Sequence, residues 1–141
     1  MKPKVIYIFV DHYFPKSKKI FAQMAEELAL GIISRGYKVV VIAPDDEAIN
    51  NQDIINIKGV DVKFFSNPPI KDIGYTRRAI NELLIPINAL IHLRNFVSNN
   101  KPDFIIYFSP PIFFGLYIFY LKTRFKVKSF LVLRDLFPQW A

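Results

Sequence analysis

Three short segments of this chain are apolar at almost every position and rich in β-branched and aromatic residues: Val5-Ile6-Tyr7-Ile8-Phe9-Val10, Val39-Val40-Val41-Ile42, and Asp103 to Phe108. A strand with one wet face alternates apolar and polar residues, whereas a run apolar on both faces belongs inside a covered, parallel sheet. Between the first two runs, Ile20, Met24, Leu28 and Ile32, with Phe21, Ala25 and Ala29 beside them, recur at helical spacing, with Ser17 as the N-cap and Gly36 as the left-handed stop. Strand, helix and strand in such short compass imply a right-handed crossover.

The rest of the chain continues the alternation. Glu47 to Lys58 is polar and asparagine-rich and reads as an irregular connection to a short strand, Val60 to Phe65. From Thr76 to Val97, the residues Ile80, Leu83, Leu84, Ile87, Leu90 and Ile91 describe one long helix, kinked at Pro86 by the loss of an N–H, with Arg78 and Glu82 facing each other across one turn. Pro111 suits the first position of a helix running to about Arg124, and Val127 to Leu133 forms the last strand. The expected fold is α/β, a Rossmann-like doubly wound parallel sheet covered on both faces.

The chain has 141 residues, the size of one domain, and its composition, 52% hydrophobic and 22% charged, is that of a folded chain. No cysteine is present, which removes thiolate chemistry and disulfides and fits the cytosol. The basic N-terminus and its apolar run are too short for a signal peptide and lack a small-residue cleavage site. Phe104 to Leu121 is free of charge for eighteen residues, yet Pro110-Pro111 argues against one spanning helix and for strand, turn and buried helix.

In doubly wound sheets ligands bind outside the carboxyl ends of the strands, which selects the loops Asp11 to Lys19, Pro44 to Asp46, Ser66 to Arg78, Ser109 to Pro111 and Arg134 to Trp140. In the first, Ser17, Lys18 and Lys19, with Lys16, stand where a helix N-terminus offers N–H donors to a phosphate; solvated lysines around a simple cap are the competing reading. The glycines of a dinucleotide fingerprint or a P-loop are absent. His12 fits a base or an ordinary loop residue, and His92 a structural or exposed position on the long helix. Arg134 offers a fork of donors to phosphate or sugar hydroxyls, and Asp135 fits the acceptance of a hydroxyl proton; a salt-bridged strand end is the alternative. Ser109 presents a hydroxyl at the same edge, or marks a rigid turn. No metal-ligand cluster and no hydrolase motif is found.

The net charge of +7 points to an anionic partner: nucleic acid, an anionic membrane or a phosphorylated substrate. The aromatics fall mainly in buried runs, which disfavours nucleic acid.

Taken in order, Asp11-His12-Tyr13-Phe14-Pro15, Ser17 with Ala22 and Met24, Arg35-Gly36-Tyr37-Lys38-Val39, Pro69-Ile70-Lys71, Arg78-Ala79-Ile80-Asn81-Glu82, Tyr107-Phe108-Ser109-Pro110 and Leu133-Arg134-Asp135-Leu136-Phe137-Pro138-Gln139-Trp140-Ala141 resemble the N-terminal domain of family 4 glycosyltransferases of the GT-B fold. The resemblance is to the branch that builds bacterial O-antigen and capsule repeat units. It implies transfer of a sugar from a nucleotide-sugar to a polyprenyl-diphosphate-linked acceptor, without a metal or other cofactor. Residues 1–141 would be the acceptor-side domain, and a C-terminal donor domain, in the same or a separate chain, would hold most of the nucleotide.

The implied catalytic residues are Asp135, Arg134 and His12, the donor-phosphate residues Ser17, Lys18 and Lys19, and the acceptor residues Tyr13, Phe14, Arg77, Arg78 and Ser109. Where many members carry two glycines in the first loop, this chain has Lys16-Ser17-Lys18-Lys19, lysine charge partly replacing backbone donors. The expected location is cytoplasmic, at the inner face of the cytoplasmic membrane, with an anionic lipid surface as a further partner. A non-catalytic partner subunit and a basic nucleic-acid-binding α/β domain are the alternatives.

Overall fold

The opening apolar run forms strand β1 (Val5–Phe9) in a computed structural model that describes residues 4–10, 13, 20–45, 54–57, 59–68, 74–108 and 114–132. Helix α1 (Ile20–Ser34) follows and leads to β2 (Lys38–Asp45), which pairs in parallel with β1 from Val5 opposite Lys38 to Phe9 opposite Ile42. Gly36 ends the helix as expected: its φ of 93° is open to glycine at little cost, and its N–H donates to Ile33 O.

β4 (Val60–Ser66) lies parallel to β2, β5 (Phe104–Phe108) parallel to β1, and β6 (Lys128–Val132) parallel to β5. The full sheet order is β3-β4-β2-β1-β5-β6.

β3 (Ile55–Ile57) corrects the expected irregular connection. It forms an antiparallel hairpin with β4, turned at Gly59, whose φ is 89°. Asn56 closes the turn with its own side chain, accepting from Gly59 N–H and donating to Asp61 Oδ1, each at 3.1 Å. Such side-chain bonds let a polar segment enter a sheet edge without an apolar pattern. The sheet is therefore mostly, not wholly, parallel.

The expected single long helix is two. α2 (Tyr75–His92) passes through Pro86 without ending, and the interruption falls at Leu93, before α3 (Arg94–Asn99). Leu93 takes φ −98° and ψ −1°, while the bonds Leu93 N–H to Ala89 O and Val97 N–H to Leu93 O carry the ladder across it. Arg78 and Glu82 do pair, at 3.0 Å. The chargeless stretch from Phe104 divides into β5 and helix α4 (Phe114–Phe125), and among the described residues no helix is long and apolar enough to cross a membrane. Pro111 lies outside the described residues.

Each face of the sheet has its own core. On one face α1 lays Ala22, Ala25 and Ala29 against Ile8, Val39, Val41 and Val62. Here the expected stripe is corrected: Met24 is 43% exposed, because the alanines, with no side chain beyond Cβ, give the flatter face and bring the helix closest to the strands. On the other face Ile85, Ala89, Leu93 and Val97, joined by Phe114, Tyr117, Ile118 and Leu121 of α4, cover Tyr7, Phe9, Val40, Ile42 and Ile105. Coverage is unequal. Phe130 of β6, in register with Ile106 on the α1 face, is 61% exposed, so among the described residues that corner is bare rather than covered.

Candidate functional site

The strand order makes β1 and β5 the neighbours at which the winding reverses. From β1 the chain turns through α1 to β2 on one side; from β5 it turns through α4 to β6 on the other. Successive connections thus leave over opposite faces and open a crevice outside the carboxyl ends of these two strands, where doubly wound sheets bind ligands.

The core of the α2/α4 face is aromatic beneath this edge. Phe9, the last residue of β1, packs at a ring-centroid distance of 5.7 Å from Phe114, the first of α4, and 5.9 Å from Tyr117 edge-on, while Phe65 near the end of β4 meets Phe114 at 6.5 Å. Rings tilted and edge-on to one another form a rigid, water-free base. Burial pushes the Tyr117 hydroxyl well above its ordinary value, with the Tyr7 and Tyr120 hydroxyls adding to the shift and Arg124 opposing it.

Of the residues expected to work at this edge, Tyr13, Arg77 and Arg78 are described, and the structure does not bring Tyr13 together with the two arginines. Tyr13 is buried in the α1-face core rather than open on the crevice. Burial, and after it the carboxylate of Glu26, raise its hydroxyl to about 12, so it stays protonated at neutral pH. Arg77 and Arg78 occupy the first turn of α2, and Arg77 is exposed. The N-cap, Gly74, is extended and, lacking a side chain, supplies no cap bond of its own. Arg78 is steadied by Glu82.

His12, Phe14, Ser17, Lys18, Lys19, Ser109, Arg134 and Asp135 lie outside the described residues. Their chain neighbours Val10, Phe108 and Val132 stand at the carboxyl edge. Among the described residues no group of three His, Asp or Glu side chains could hold a metal ion.

One participant was not anticipated. Asn67, directly after β4, is buried, and its side chain donates to Pro68 O at 2.8 Å and Asn81 O at 3.3 Å while accepting from Asn88 Nδ2 at 2.7 Å. Its N–H donates to Asp45 O at 3.3 Å. It ties the ends of β2 and β4 to the middle of α2 and so sets where the head of α2 stands. An asparagine before Pro68-Pro69 carries no sequence mark of burial; it reads as loop.

No protein-family model matches the chain, and no curated protein matches it in sequence. Solved structures do. Sucrose-phosphate synthase from Thermosynechococcus elongatus superposes with a TM-score of 0.70 at 10% identity, over 94% of this chain and 33% of that one. The glycotransferase of kitacinnamycin superposes with a TM-score of 0.61 at 14% identity, over 94% of this chain and 31% of that one.

The chain has the fold of one half of a GT-B glycosyltransferase. It spans about a third of the length of these two enzymes. The likeness is one of fold: the C-terminal domain of a Pyrococcus furiosus hydrogenase also superposes, with a TM-score of 0.56 at 12% identity, over 92% of this chain and 89% of that domain.

Proposed function

We propose that this chain is the acceptor-side half of a family 4 glycosyltransferase, which moves a sugar from a nucleotide-sugar to a polyprenyl-diphosphate-linked acceptor during assembly of O-antigen or capsule. The observation that carries the reading is the superposition of nearly the whole chain on one third of sucrose-phosphate synthase. The ordered sequence motifs from Asp11-His12-Tyr13 through Arg134-Asp135 support it, as does the place of Arg77 in the first turn of α2. Arg77, exposed in that turn, suits the diphosphate of a lipid-linked acceptor.

In this reading the acceptor hydroxyl attacks the anomeric carbon of the donor, the bond from that carbon to phosphate oxygen breaks, and the nucleoside diphosphate leaves with the electron pair. Asp135 takes the hydroxyl proton, with His12 as the other candidate base, and Arg134 holds phosphate or sugar hydroxyls. Ser17, Lys18 and Lys19 are assigned to the donor phosphates, and Phe14, Arg78 and Ser109 complete the acceptor side; Tyr13, buried in the α1-face core, does not touch the acceptor. No metal takes part, the reaction runs at the inner face of the cytoplasmic membrane, and a donor-side domain in the same or a separate chain holds the nucleotide.

The test is turnover of a panel of UDP- and GDP-sugars with a polyprenyl-diphosphate acceptor, by the chain alone and together with a donor-side domain encoded in frame or beside it. Acceptor-dependent nucleotide release in the combined form, lost in Asp135→Asn and given a higher acceptor KM by Arg77→Gln, is the expected result. No turnover in either form, with tight binding of nucleic acid, overturns the reading.

A further inference from the structure

The core holds α2 over part of its length. From Tyr75 to Leu84 no residue is buried; the buried ridge begins at Ile85 and continues through Ala89. The upper half of the helix, which carries Tyr75, Arg77 and Arg78, therefore stands at the carboxyl edge with no buried side chain of its own to fix it.

Pro86 lies just below this half. It has no N–H for Glu82 O, so the helical ladder lacks a bond at that turn, and its ring crowds the same carbonyl. A helix weakened at one turn bends there first. Packed below, unburied above and missing a bond between, α2 has the parts of an arm on a pivot. Glu82, the partner of Arg78 at 3.0 Å, belongs to the arm, so that ion pair moves with it and does not anchor it.

Asn67 spans the pivot. Its side-chain amide donates to Asn81 O, above Pro86, at 3.3 Å, and its Oδ1 accepts from Asn88 Nδ2, below Pro86, at 2.7 Å. Asn81 and Asn88 lie about two turns apart on one face of the helix, with Ile85 between them, so both reach the same amide. Asn67 is itself fixed: it is 2% exposed, its N–H donates to Asp45 O at the end of β2, and its Nδ2 donates also to Pro68 O. A buried amide engaged at every polar atom resists displacement, because breaking any of its bonds strands a polar group away from water.

We infer that Asn67 is a positioning residue, a latch that bridges the Pro86 gap, fixes the angle between the two halves of α2, and so sets where Arg77 and Arg78 stand at the crevice. The step from the latch to the acceptor rests on the role proposed above for Arg77; the latch itself does not. Small angles matter here: an arm of about 15 Å turned through about 20° carries its head about 5 Å.

The latch is tested by distances between spin labels, which go only where they are placed because the chain has no native cysteine. Labels at Ala79→Cys on the arm and Lys122→Cys on α4 are expected to give a narrow distance distribution, and Asn67→Ala to broaden it about twofold or shift it by about 5 Å. Labels at Asn95→Cys and Lys122→Cys, both below the pivot, are expected to keep their distribution. Pro86→Ala restores the missing ladder bond and is expected to narrow the arm distribution again in the Asn67→Ala background, a rescue that general loss of packing would not show. Circular dichroism checks the fold, and Asn67→Ser, too short to span both helix partners, is the milder variant should Asn67→Ala lose the native spectrum. A distribution that stays narrow without Asn67, or one that broadens equally for both label pairs, overturns the latch.

Acceptor kinetics in the presence of a donor-side domain test the role. Asn67→Ala is expected to raise the acceptor KM about fivefold with kcat nearly unchanged, and Arg77→Gln to add little in that background, since a misplaced arginine has little left to lose. Effects of the two substitutions that multiply independently overturn the positioning of Arg77 by Asn67. If the wild type transfers no sugar, the reaction proposed above falls, and the distance distributions still decide the latch.

Discussion

Asn88 Nδ2 donates to Asn67 Oδ1 at 2.7 Å, joining the middle of α2 to the buried end of β4. Asn67→Ala removes every side-chain partner at once and leaves Pro68 O, Asn81 O and the Asn88 amide to be resatisfied, which is expected to cost about 2 kcal/mol in urea denaturation. Asn88→Ala removes one bond from a half-buried group and is expected to cost about 1 kcal/mol. The double variant should cost less than the two together by about 1 kcal/mol, since the shared bond is lost only once. Strict additivity would mean that the two amides do not act as a unit.

The alanine face of α1 makes a second, opposed pair of expectations. Ala25 is fully buried against the strands, and leucine there must push the helix off the sheet, at a cost of about 1–3 kcal/mol. Met24, one residue earlier, projects into solvent, and Met24→Ala should change stability by no more than about 0.5 kcal/mol. Thermal or urea denaturation of both variants separates the observed face from the alternative in which Met24 packs inward, which reverses the order of the two effects.

Stability should fall at high pH, and the tyrosines are the reason. The Tyr13 hydroxyl is raised from 10.0 to about 12, and burial raises Tyr7 and Tyr117 in the same direction. A phenol whose folded value is raised keeps its proton in the native state while the unfolded chain releases it. The native state therefore loses ground as pH rises from about 10, and the loss from Tyr13 is complete above its folded value. At about 1.4 kcal/mol per unit, Tyr13 accounts for a decline of about 2–3 kcal/mol across that window. Tyr13→Phe should flatten the decline between pH 10 and 12 without altering the slope of the curve at pH 7–9, as read from urea midpoints at stepped pH.

The strands were legible in the sequence because a run such as Val39-Val40-Val41-Ile42 needs no partner to declare that both its faces are buried. The helices were legible as helices, but not as to which face turns inward. Ile80, Leu83, Ile87 and Leu90 have the periodicity of a core stripe and stand in solvent, while the neighbouring ridge of Ile85 and Ala89 is buried. Periodicity reports an apolar face; it does not report whether sheet or another surface covers it. β3 was missed because Asn56 makes its hairpin by side-chain hydrogen bonds rather than by apolar pattern. The site was legible as a place, the carboxyl edge, since topology alone selects it. Asn67 was not, because its burial follows from where α2 lands, which no local pattern encodes.

Lys126 carries the last expectation. It joins α4 to β6 with φ at 53°, the one positive φ outside glycine among the described residues. A side chain with a Cβ pays about 1 kcal/mol to hold this left-handed geometry, which ends helices well only when glycine supplies it. Lys126→Gly relieves that strain and also loosens the unfolded chain, so the expected net gain is about 0.5–1 kcal/mol. Removing the lysine also removes a charge from a strongly basic chain, and Lys126→Gln supplies the control, keeping Cβ and losing the charge. Lys126→Val should be less stable than either, because a β-branched side chain is the least tolerant of positive φ. Urea midpoints in the order glycine, then glutamine and lysine together, then valine are the expected result; glycine equal to glutamine would show that the backbone at this junction carries no strain for glycine to relieve.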